Sequence, residues 1–70
     1  MNNLKEIREA NKLSQTELAY KVGVSARHIA FIEHGDKCPS LKIAIKIART
    51  LNSTVEDIFA GEAEDKEVSQ

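Results

Sequence analysis

Cysteine, proline, glycine and aromatic residues are all scarce in this sequence. Among 70 residues there are one Cys, one Pro, three Gly, one Tyr, two Phe and no Trp. Cys38 has no second cysteine to pair with, which excludes a disulfide framework and points to a reducing cytoplasm. No apolar run approaches the ~20 residues that span a bilayer, so a membrane partner is not expected. The first ten residues carry too much charge for a signal peptide. There is no nucleophile beside a base, no glycine loop to cradle phosphate and no carboxylate dyad. An enzyme is therefore not expected, and neither is a cofactor. His28, His34 and Cys38 suggest a metal at first sight, but six residues of helix separate the two histidines, so no metal site is expected.

Positive charge in bulk is also missing, since the formal net charge is −1. Its distribution is uneven. Residues 1–50 hold nine Lys/Arg against five acids, a net of +4, while residues 51–70 hold one Lys against six acids, a net of −5. A solubilising acidic tail explains that split, and so does a body that meets phosphate on one face. Charge alone does not choose between them.

What is present is helical punctuation at short intervals, in a chain that is 41% apolar. Outside the run Ile43, Ile45 and Ile47, β-branched residues do not alternate as in an amphipathic strand. Asn3, with Glu6 three residues on, caps a first helix that buries Leu4 and Ile7 and runs to about Asn11. Ser14-Gln15-Thr16-Glu17 is a capping box. The helix it opens puts Leu18, Ala19 and Val22 on one face and stops at Gly23, which takes positive φ at little cost. Ser25 caps a third helix with Ile29 and Ile32 inward, ending at Gly35. Asp36 to Pro39 is a loop. Ser40 caps a fourth helix with an inner stripe of Leu41, Ala44, Ile45, Ala48 and Leu51, closed by Asn52 in the left-handed region. Thr54, with Asp57 at the third position, opens a short fifth helix burying Val55, Ile58 and Phe59. The expected fold is all-α, five helices over residues 1–60, followed by an acidic tail at 61–70 with little to bury.

The informative segment is Gln15 to Glu33, QTELAYKVGVSARHIAFIE. Only Gly23-Val24 joins its two helices, which forces a sharp crossing in place of an antiparallel hairpin. Ala19 sits at the crossing, where a larger side chain would hold the helices apart, and Val24 plugs the turn. Ala26, Arg27, Ala30 and Phe31 are left on the outward face of the second helix. This segment resembles the helix-turn-helix of the Cro and lambda-repressor type (Xre-like) family of bacterial and phage regulators. The likeness extends from Leu4 to Arg8 (L-x-x-I-R), Leu13 to Ala19 (L-S-Q-x-E-L-A), Ile32 to Gly35 (I-E-x-G), Pro39 to Leu51 (P-S-L with I-A-x-x-L) and Val55 to Phe59 (V-E-D-I-F).

The resemblance implies a lambda-repressor-like domain that places the helix from Ser25 to His34 in the major groove of double-stranded DNA. Carried over by residue, Gln15 and Thr16 meet phosphate or a nearby base, and Ser25, Ala26, Arg27 and Phe31 face the groove. Lys37 lies against backbone, and Ser40 with Lys42 offers the amino end of a helix to phosphate. His28 packs at the helix edge or meets phosphate, and His34 favours the negative end of the helix dipole. Three departures stand out. Lys12 replaces a common Gly, pointing to strain or a different turn; Phe31 replaces a polar or basic residue; and Ala26 can offer a base only apolar contact.

These readings describe a cytoplasmic, nucleoid-associated, sequence-specific transcriptional regulator, a repressor or dual regulator. It would act as a homodimer on a palindromic operator, because one small module contacts too few base pairs for genomic specificity. No ligand-sensing domain is expected, which leaves dosage, degradation or a second protein as the means of control. A restriction-modification controller is one context; an antitoxin-type module whose tail or fourth helix binds another protein is the alternative. Ile43, Ile47 and Ile58 exceed the needs of one core stripe and are the expected dimer contacts. Arg8 and Glu33, beside inward-facing Ile7 and Ile32, are expected to form a partly buried ion pair.

Overall fold

A computed structural model describes residues 2–60; the acidic segment 61–70 lies outside the described residues. Four helices, α1 (Leu4–Ala10), α2 (Gln15–Val22), α3 (Ala26–His34) and α4 (Leu41–Thr50), are followed by a fifth, α5, over residues 55–60. No strand occurs among the described residues. The side chains of Leu4, Leu18, Ile29, Ile32, Ile47 and Ile58 are withdrawn from solvent, so each helix contributes at least one residue to a single core. The α2 helix packs on both α3 and α4, and α1 closes against α3.

Local chemistry sets most helix ends. Ser14 accepts from the Glu17 amide at 3.0 Å while the Ser14 amide donates to Glu17 Oε1 at 2.9 Å, the reciprocal capping box. The Ser14 backbone amide, and then its side chain, hold the Glu17 carboxyl below its ordinary range. That contribution to stability is present above the usual carboxylate pKa and fades as pH falls through the lowered value. Ser25 and Ser40 cap α3 and α4 in the same way, accepting from the amides of His28 and Ile43. Gly23 and Gly35 end α2 and α3 at φ 89° and 81°. A Cβ at Gly23 would meet nothing within 4 Å, so the backbone angle, not lack of space, demands glycine there.

The expected cap at Asn3 is corrected. Its side chain accepts no capping bond; its amide group donates to the Asp57 carbonyl at 3.0 Å, and its backbone N–H donates to the Ile58 carbonyl at 2.8 Å. Asn3 thus joins the start of α1 to α5. Asn2 Oδ1 accepts from the Leu4 amide at 3.1 Å instead.

The α4 stripe is corrected too. Leu41 and Ile45 are 71% and 37% exposed, whereas Ala44, Ile47, Ala48 and Leu51 point inward. Two overlapping stripes were available on this helix, and the core takes the one three residues further along, a rotation of about 60° about the helix axis. Ile47 and Ile58 have no exposed surface, so neither is a dimer contact; Ile43 is half-buried and packs on the core.

Lys12 resolves the turn after α1. It adopts φ 60°, with its amide donating to the Glu9 carbonyl at 2.9 Å and the next amide donating to the Arg8 carbonyl at 3.2 Å. A left-handed lysine costs ~1–2 kcal/mol relative to its preferred conformations, while glycine gives back part of that through unfolded-chain entropy. Lys12→Gly is therefore expected to stabilise the domain by ~0.5–1 kcal/mol, seen as a rise of a few degrees in the melting temperature. A fall in melting temperature would show that the lysine side chain contributes more than its backbone loses.

Candidate nucleic-acid interface

The α3 helix has two opposed faces. Ile29, Ile32 and Glu33 are buried beneath it. Arg27 and His34 are exposed on the opposite side, and Phe31 and Ala30 are partly exposed beside them. Arg27, Phe31 and His34 follow the i, i+4, i+7 spacing that keeps side chains on one helical face. The Lys37 ammonium, from the loop after α3, sits 5.6 Å from the Phe31 ring centroid, within cation–π range.

Ala26 departs from the expected arrangement. It is partly buried and packs on the core, because it lies at the edge of the face that Ile29 and Glu33 bury. His28 is partly buried at the helix edge. Ser25 is exposed, its Oγ occupied as acceptor by the cap while its O–H stays free to donate. Thr16, Lys37, Ser40 and Lys42 are all exposed. Lys42, Lys46 and Arg49 are exposed on α4, which contains no acidic residue.

Beneath α3 lies the polar support of the site. Arg8 Nε donates to Glu33 Oε2 at 2.5 Å and Nη2 to Oε1 at 3.4 Å, with side-chain exposures of only 8% and 5%. Arg8 Nη1 donates to the Leu13 carbonyl at 2.7 Å. Gln15 Nε2 donates to Glu33 Oε1 at 3.0 Å. The first residue of α2 is therefore tied to the last turn of α3, and the crossing angle of the two helices is braced from both ends: by this network on one side and by Gly23-Val24 on the other. Every buried side-chain polar atom among the described residues has a partner.

Sequence reasoning missed two features here. His34 shares the outward face of α3 with Arg27, which its i+7 spacing could have revealed. Tyr20, one turn after Thr16 on α2, is 88% exposed. A groove of about 250 Å³ is lined by Asn2, Lys5, Glu6, Gln15, Glu33 and His34. Among the described residues no group of three His, Cys, Asp or Glu could hold a metal ion, and Cys38 is exposed. No helix among them is long and apolar enough to cross a membrane.

Residues 4–58 match the helix-turn-helix family model. The chain is 47% identical over 62 residues to an uncharacterised HTH-type transcriptional regulator of Archaeoglobus fulgidus, covering 89% of this chain and 87% of that one. It is 45% identical over 64 residues to a protein of the same description from Methanocaldococcus jannaschii, covering 91% and 97%. A third, from Bacillus subtilis, is 41% identical over 64 residues, with the same coverage. Relatives thus come from archaea as well as bacteria. Among solved structures, the clp gene regulator ClgR from Corynebacterium glutamicum shares the fold, with a TM-score of 0.75 at 22% identity over 94% of this chain and 78% of that one. With a match across nearly all of the described helices and relatives that are regulators, not enzymes, the chain belongs to the Cro and lambda-repressor type helix-turn-helix family of DNA-binding transcriptional regulators.

Proposed function

We propose that this protein is a sequence-specific repressor that binds a palindromic operator as a homodimer in the cytoplasm. The observation that carries the reading is the outward face of α3, where Arg27, Phe31 and His34 serve no part of the core while the opposite face is anchored by Ile29, Ile32 and the Glu33 network. In this reading Arg27 donates in bidentate fashion to a guanine edge. Ser25, Thr16 and Gln15 meet the backbone or a flanking base, and Lys37, Ser40 and Lys42 meet phosphate. A two-fold pair of α3 helices ~34 Å apart would enter successive major grooves. Of the expected dimer contacts, only Ile43 keeps any exposed surface.

Arg27→Ala is expected to cost ~1–3 kcal/mol on the operator and to relax preference at one position of each half-site. Lys42→Gln should weaken binding to all DNA about equally and flatten the salt dependence by about one unit of slope for the phosphate no longer neutralised. Residues 62–70 enter neither role, so their removal leaves operator affinity unchanged or slightly higher. Binding to operator and scrambled duplexes at several salt concentrations measures all of these. An equal loss on both duplexes for Arg27→Ala would demote that side chain to a backbone contact.

A second reading has one observation in its favour. Leu41 and Ile45 form an exposed apolar pair on a helix free of acidic residues, a surface suited to another protein. An antitoxin-type module would use such a surface and keep its DNA binding. Copurification of a second polypeptide from the native host would favour it.

A further inference from the structure

Arg27 and Phe31 stand one turn apart on the outward face of α3, and Lys37 covers one side of the Phe31 ring. A phenyl ring offers no hydrogen bond to a base edge. The major groove carries one apolar group, the C5-methyl of thymine, and aromatic or aliphatic side chains recognise it by contact. Phe31 is partly exposed, not withdrawn into the core, so part of the ring is available for such a contact. The ammonium of Lys37 is attracted to the ring face, which restrains the ring and holds the loop after α3 close to it.

The spacing limits where the methyl can lie. Side chains at i and i+4 on a helix are separated by ~5–6 Å at Cβ. Successive nucleotides of one strand advance by ~3.4 Å along the duplex axis. Two such side chains therefore address base pairs one or two steps apart. We infer that Phe31 reads a thymine methyl one or two base pairs from the guanine contacted by Arg27, with Lys37 acting as the positioning residue for the ring. This rests on α3 being the groove-facing helix, and it adds an apolar component to a readout otherwise made of hydrogen bonds.

The test begins with duplexes selected from a random library by the full chain. Each thymine of the selected half-site is replaced in turn by deoxyuridine, which removes the methyl and leaves every hydrogen-bonding group in place. One thymine, one or two base pairs from the Arg27-dependent guanine, should lose about fourfold in affinity on this replacement, the worth of burying one methyl group. In Phe31→Ala and Phe31→Gln the thymine and deoxyuridine duplexes should bind equally. Because the ratio is taken within each variant, a reduced folded fraction cancels, and two variants guard against one that does not fold. Lys37→Gln should lower the ratio without abolishing it. A deoxyuridine loss that persists in both Phe31 variants would assign the methyl to another side chain and overturn the inference, as would a half-site with no sensitive thymine. Failure of the chain to enrich any sequence would overturn both this inference and the functional reading beneath it.

Discussion

Arg8→Ala is expected to lower folding stability by ~3–5 kcal/mol, because the carboxylate of Glu33 would remain buried without its cation. Glu33 is 5% exposed at its side chain, and Gln15 is the other side chain bonded to it. One neutral amide does not offset the desolvation of a carboxylate. A domain of this size has only ~3–9 kcal/mol to lose, so the variant should be largely unfolded near physiological temperature. Glu33→Ala should cost a similar amount, stranding the guanidinium and freeing Gln15 from α3. Replacing both, as Arg8→Met with Glu33→Leu, should recover much of the loss, since apolar side chains of like volume often replace a buried ion pair without penalty. Urea titrations followed by circular dichroism measure each step. A single variant whose stability falls by less than ~1 kcal/mol would show the pair to be hydrated in solution.

The second large effect falls on α4. Ile47→Ala should cost ~2–5 kcal/mol, the usual range for truncating a fully buried aliphatic side chain and leaving a cavity. Leu41→Ala, on the same helix but 71% exposed, should change stability by less than ~0.5 kcal/mol. The comparison separates two roles for isoleucine and leucine on one helix. A core residue weakens the folded monomer whatever the protein concentration, whereas an interface residue shifts a concentration-dependent association. Thermal melts at two concentrations distinguish them. An Ile47→Ala melt that matches the parent in the monomer would return Ile47 to the surface and to the set of dimer contacts.

These two sites also show how legibility varied along the chain. The Arg8–Glu33 pairing was readable because each residue neighbours an inward-facing isoleucine: Ile32 is buried, and Ile7, though half-buried, packs on the core beside the more deeply buried Arg8. The involvement of Gln15 was not readable, because it depends on how closely the start of α2 approaches the end of α3. The wrong choice on α4 came from a helix with too many apolar positions. Leu41, Ala44, Ile45, Ala48 and Leu51 satisfy the helical repeat as well as Ala44, Ile47, Ala48 and Leu51 do, so the two readings differ only in Leu41 and Ile45 against Ile47. Asn3 was misjudged for a related reason: asparagine caps a helix well, but its amide is equally able to donate to a carbonyl that tertiary packing brings near.

Sequence by itself determined where the helices begin and end and how tightly α2 and α3 are joined. Ser14, Ser25 and Ser40 act on amides within three residues of themselves, and Gly23 and Gly35 answer to their own φ, so these choices need nothing distant. The outward face of α3 followed from the same short-range geometry, apart from Ala26 at its edge. Tertiary structure alone decided the rotation of α4 about its axis, the use of Asn3 to hold α5, and the withdrawal of Ile47 and Ile58 from any partner. The physical reason is that helical periodicity specifies which side chains share a face but not which face is buried. That is settled when neighbouring helices pack to close density and one of two similar stripes fills the space between them.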